Sequence, residues 1–164
     1  MKKKTSIYFT ILFVFGFIQI NFAQDRDAII ASLQQDNKYY TAVSVDTDFD
    51  STIEKVKLVL KEQGFGIVSE IDMQAKLKKG TGNDIPKYFI LGACSPASAY
   101  KALQIEEQIG VMLPCNVVVR ETMDGKIEVA AINPEQSMQS IGNPEMEPLA
   151  KEISDKLKKA LASL

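Results

Sequence analysis

The chain has 164 residues, 46% hydrophobic and 24% charged, the balance of one ordinary globular domain rather than of a disordered or fibrous protein. Lys2, Lys3 and Lys4 precede an apolar run; without them 16 basic residues face 21 acidic ones, a net charge of −5, which lacks the electrostatic footprint for nucleic acid or an anionic membrane surface. Histidine is absent, which excludes Ser-His-Asp and Cys-His nucleophile pairs, histidine zinc sites and histidine haem ligation, so acid–base chemistry would fall to Asp, Glu, Lys, Tyr or Cys in a perturbed environment.

Met1–Ala23 has the three parts of a secretory signal: basic Lys2 to Lys4, an apolar run from Ile7 to Ile20, and a small residue at Ala23. About 14 apolar residues rise only ~21 Å, short of the ~30 Å of a bilayer core, so cleavage before Gln24 is expected, with the product secreted or periplasmic and no stable membrane anchor left on it. Residues 24–38 are polar apart from Ala28, Ile29, Ile30 and Leu33, whose spacing suits a short helix; the stretch reads as a loosely held lead-in to a single domain over 39–164.

Within that domain Tyr39–Val45 alternates as a half-buried strand, with Tyr39, Thr41, Val43 and Val45 on one face. Ser51-Thr-Ile-Glu54 has the spacing of a capping box, and Phe49, Ile53, Val56 and Leu60 form the apolar stripe of a helix that stops at Gly64. Phe65–Ile71 reads as a second strand. Asp72–Pro86, with three lysines and two glycines, reads as an exposed loop with at most a helical turn near Met73 to Leu77.

Tyr88–Cys94 is continuously apolar, as a central strand covered on both faces would be, and Gly92 within it allows a close approach. Ser95-Pro96 places a capping hydroxyl before a proline at the first helical position, and the helix is expected to run through Ala99, Ala102, Leu103, Glu106 and Ile109, ending before Gly110. Val117–Glu121 and Lys126–Ile132 form a hairpin around Asp124-Gly125. Glu135–Met146 reads as loop. A last helix starting near Asn143-Pro144 carries Leu149, Ile153, Leu157, Ala160, Leu161 and Leu164 inward, with Lys151, Lys156, Lys158 and Lys159 outside. The order β-α-β-β-α-β-β-α predicts an α+β fold, a two-layer sandwich of about five strands with helices on one side.

Cys94 and Cys115 lie 21 positions apart, at the end of one strand and the start of another. The intervening helix reads as a parallel crossover that separates them, while Gly110–Pro114 is long enough to climb back by ~17 Å. A disulfide, a reactive or metal-binding thiol site and inert packing all stay open; zinc would need Glu106 or Glu107 as further ligands. If free, Cys94 is expected to be the more reactive, because the partial positive charge of a helix start favours thiolate. The same start, at Ser95, Ala97 and Ser98, is a candidate anion site.

Three segments, Gly92-Ala-Cys-Ser-Pro-Ala-Ser-Ala99, Ile109-Gly-Val-Met-Leu-Pro-Cys115 and Asp124–Pro134, resemble the family called domain of unknown function 302, over about Phe49 to Pro134 and more weakly through the last helix. The resemblance implies a compact two-layer α+β fold and no established reaction. Ser95 stands where Asn is the commoner residue of that family. Function is therefore expected to be that of an exported binding or accessory domain with no cofactor, its partner a small ligand or a protein, a homodimer remaining open; the alternative is a thiol-based redox or metal-binding protein using Cys94 and Cys115.

Overall fold

The computed structural model describes residues 39–164; the signal sequence and lead-in expected over 1–38 lie outside the described residues. β1 (Tyr40–Val45) leads into α1 (Phe49–Glu62). This helix begins a turn before the capping box: Asp48 is extended and its carboxylate accepts the Ser51 N–H at 3.0 Å, with the Ser51 side chain as a further donor, so Ser51 donates to the cap rather than being the cap itself. Those Ser51 hydrogen bonds hold the Asp48 carboxyl below its ordinary value. A carboxylate depressed in the fold contributes stability above its unfolded pKa and loses it as pH falls through the folded one. Asp48→Ala is thus expected to lower Tm at pH 7 and much less at pH 2; equal losses in the two thermal melts would place the effect elsewhere. Gly64, at φ +82, turns the chain into β2 (Gly66–Asp72).

The stretch after β2 is not a loop. Met73–Thr81 forms α2, capped by Asp72, which accepts the Ala75 N–H at 2.9 Å, and stopped by left-handed Gly82. None of its residues is buried. β3 (Tyr88–Cys94) is followed by α3 (Pro96–Ile105), which ends four residues earlier than expected because the chain becomes extended at Glu106 and then tightens into a 3₁₀ segment, Glu107–Met112. β4 (Cys115–Glu121) and β5 (Ile127–Ile132) form the expected hairpin, with Gly125 left-handed at φ +78. Glu135–Met146 is a chain of short turns, among them α4 (Pro134–Ser137), before α5 (Glu147–Leu161).

The five strands form one sheet in the order β1-β5-β4-β3-β2, and every neighbouring pair is antiparallel. The parallel crossover expected between the cysteines is therefore wrong. Ten residues of α3 rise only ~15 Å, and the 3₁₀ segment with Leu113-Pro114 brings the chain back to the end of the sheet it left, so Cys115 pairs opposite Ala93.

Strand alternation divides the sheet into two faces. On one, Leu91, Val117, Val119 and Val129 are fully buried with Leu60 of α1 and Leu157 of α5. The antiparallel sheet thus forms a two-layer α+β sandwich with α1 and α5. The other face carries Ile90, Val118, Ala130 and Ile132 only half-buried, so β3 is not covered on both faces as its apolar run suggested. Lys158 was expected outside; it is buried, its Nζ 3.8 Å from Glu135 Oε2. It snorkels along α5 toward the turn at 134–137. There Ser154 Oγ donates to Asn133 Oδ1 at 2.8 Å and accepts the Glu135 N–H at 2.9 Å.

Candidate functional site

The sequence-predicted residues gather only in part. Cys94, Ser95, Ser98 and Cys115 border one pocket between the strand ends, α3 and α5, whose other walls are apolar, including Phe65, Ala102 and Ile153. Its internal volume is about 30 Å³, the space of one water. Ala97 is exposed and does not line it. The Ser95 side chain does not cap the backbone of α3; it donates to Ser98 Oγ at 3.1 Å, so the two hydroxyls bond to one another.

Both cysteines are free thiols. Register supplies the reason: Cys115 is opposite Ala93, and Cys94, one residue further along β3, falls on the other face of the strand. Burial, with a smaller contribution from neighbouring Cys94, pushes the Cys115 thiol up to about 11. It is then protonated near neutral pH and poor as a nucleophile. Among the described residues no group of three or more Cys, Asp or Glu side chains could hold a metal, so Glu106 and Glu107 do not complete a site with the thiols. In the folded protein at pH 8, Cys115 is expected to resist iodoacetamide and to react on denaturation; mass spectrometry of the labelled chain would read this, and modification of the native thiol would contradict it.

The larger concavity is on the other face of the sheet. A groove of about 410 Å³ is lined by residues of β1, β3, β4 and β5 together with Tyr39. Val118, Ala130 and Ile132 supply apolar floor, Tyr40 and Tyr88 aromatic walls, and Arg120 and Glu128 a charged pair. Arg120 and Glu128 are directly opposite across β4 and β5; the guanidinium donates from Nε and Nη2 to Glu128 Oε1, both at 2.7 Å. The Arg120 side chain remains 41% exposed, and a guanidinium has five N–H donors, so it can meet a further acceptor.

The family model described as Domain of unknown function DUF302 matches residues 41–164. The chain belongs to this family. A solved structure titled as an uncharacterized conserved protein DUF302 from Bacillus stearothermophilus is similar, at 27% identity and a TM-score of 0.71, over 75% of this chain and 95% of that one. No curated protein matches the chain. The DUF302 match takes in β1 from Thr41 onward and all of α5, beyond the Phe49 to Pro134 core of the sequence resemblance. No local motif marks Tyr40, Tyr88, Arg120 or Glu128, because they come together only across different strands. The available signal was period-two alternation, which sets Arg120 beside Val118 on one face of β4 and Glu128 beside Ala130 on one face of β5.

Proposed function

We propose that this chain is an exported, non-catalytic binding domain whose contact surface is the open face of the sheet, and that its ligand class is a small amphipathic molecule with an apolar body and an acidic head. The observation that carries this is the contrast between the two concavities. The cysteine pocket has room for one water, whereas the groove of about 410 Å³ falls within the size range of small-ligand sites and joins apolar floor to a charged pair. Tyr40 and Tyr88 offer flat walls for the body, and Arg120 offers donors to the head.

Anilinonaphthalene sulfonate, an aromatic anion, serves as the probe. Arg120→Ala is expected to weaken its binding about tenfold, a difference of ~1.4 kcal/mol, while Ser98→Ala leaves it unchanged. Fluorescence titration of the two variants tests this. Loss on Ser98→Ala, with no loss on Arg120→Ala, would move the site to the cysteine pocket.

Export rests on the order of basic, apolar and small residues in Met1–Ala23. The mass of the secreted chain is expected to correspond to a start at Gln24; retention of Met1–Ala23 would make that segment an anchor.

A thiol reading is favoured by one observation, the partial exposure of Cys94 beside the start of α3. It requires Cys94 to alkylate faster than an unfolded cysteine in a Cys115→Ser background. A rate at or below the unfolded one would remove it.

A further inference from the structure

The two edges of the sheet are finished differently. β2 is guarded: its register breaks between Ile67 and Ser69, its Glu70 pairs with Lys57 at 2.9 Å, and Asp72 closes it. Bulges and charges of this kind keep an edge from pairing with another strand. β1 has none of them. Over Tyr40–Val45 it reads Tyr-Thr-Ala-Val-Ser-Val, with no charge, no proline and an unbroken register against β5.

Backbone parity decides what that edge presents. The Asn133 N–H donates to the Tyr39 carbonyl at 2.7 Å, so the groups of Thr41, Val43 and Val45, in step with Tyr39, face β5, while those of Ala42 and Ser44 face out of the sheet. Among the described residues no strand lies beyond β1. Ala42 and Ser44 therefore each turn one N–H and one carbonyl outward. The Ser44 side chain is exposed, and Val43, on the helix side, is only partly covered.

We propose that β1 is a self-association edge, along which two copies of this chain pair antiparallel about a two-fold axis at Val43 and join their five-stranded sheets into one. A second copy is the occupant because β1 is its own complement. The axis at Val43 sets Ala42 opposite Ser44 of the second copy, and Ser44 opposite its Ala42; each such pair exchanges two hydrogen bonds, so every outward group of both residues is met. The same axis sets the two branched Val43 side chains against each other in a non-hydrogen-bonded pair, where cross-strand side chains come closest. Charge permits the arrangement. Asp46, just past the strand, falls ~20 Å along the pair from Asp46 of the second copy, beyond the ~8 Å reach of screened charges. The groove floor at Val118 and Ala130 lies inward of this edge and stays open, so association and ligand binding are separate properties.

The test combines sedimentation with amide hydrogen exchange. The native protein is expected to sediment at twice the chain mass, with the Ala42 and Ser44 amides exchanging about a hundredfold more slowly than in Ser44→Lys, which places a charge at an exposed edge position and should sediment as a folded monomer. Val68→Lys, on the β2 edge where Val68 is 62% exposed, should remain dimeric. A native monomer would overturn the proposal. So would a dimer whose Ala42 and Ser44 amides exchange as fast as those of an exposed edge, because the contact then lies elsewhere. Slow exchange of the two amides in a monomer would mean that the edge is covered within one chain, and has the same consequence. Ser44→Pro removes the outward N–H while leaving the β5 ladder intact, and serves if Ser44→Lys fails to fold; a dimer that persists in the folded variant also overturns the proposal.

Discussion

Leu157→Ala is expected to destabilise the domain by about 2 to 5 kcal/mol. Leu157 is 1% exposed on the inner face of α5, in the cluster that includes Leu60, Val117 and Val129, so truncation removes buried methyl groups and leaves a cavity between two layers held by rigid backbone. Its neighbours on α5 calibrate the effect. Lys159 is exposed, and Lys159→Ala should stay within about 0.5 kcal/mol. Lys158, 4% exposed, has an aliphatic stem that packs as well as an ammonium that faces Glu135, and Lys158→Ala should cost about 1 to 2 kcal/mol. Denaturant melts of the three variants would show a graded series; equal small effects would mean that α5 is not docked on the sheet.

Gly92→Ala is expected to cost about 1 to 3 kcal/mol, an overpacking effect in the middle of β3. A methyl group at Gly92 would collide with the Ser69 hydroxyl on β2 and come within 2.8 Å of the Pro114 ring before β4. Ser69 can rotate or be trimmed, whereas the proline ring is held by its own backbone. Ser69→Gly should therefore recover only part of the loss in a Gly92→Ala background, and the coupling between the two sites should be non-additive. Full additivity in denaturant melts would mean that the two side chains do not compete for the same space.

The fold was largely legible because its cores announce themselves by period. Ile53, Val56 and Leu60 repeat as a helix must, and Val117, Val119, Val129 and Ala131 alternate as strands must, so the number of strands, the hairpin and the two main helices follow from the residues. What failed was what periodicity does not encode. α2 has no buried residue, so no apolar stripe marks it; its only signals are local, Asp72 as cap and Gly82 as stop. The Cys94 to Cys115 connection looked like a crossover because a helix between two strands usually is one, yet α3 is short and the return through Glu107–Met112 carries no pattern that fixes direction. Lys158 was assigned outward on residue type, although four aliphatic carbons can lie under the surface while the charge reaches Glu135.

The candidate site was legible to a smaller degree. Chain order brings Cys94, Ser95 and Ser98 together, since they lie within five residues, and the antiparallel return adds Cys115. The open-face groove depends instead on which strands are neighbours. Tyr40, Tyr88, Arg120 and Glu128 come from four strands, and they converge only once the order β1-β5-β4-β3 is known.

Amide chemical-shift mapping with anilinonaphthalene sulfonate titrated into the protein bears most directly on the open face as the proposed binding surface. Perturbations should concentrate at Tyr40, Tyr88, Val118, Arg120 and Glu128 and leave Ser98, Ala102 and Cys115 unmoved. Shifts confined to Ser98, Ala102 and Cys115 would contradict it and assign binding to the cysteine pocket.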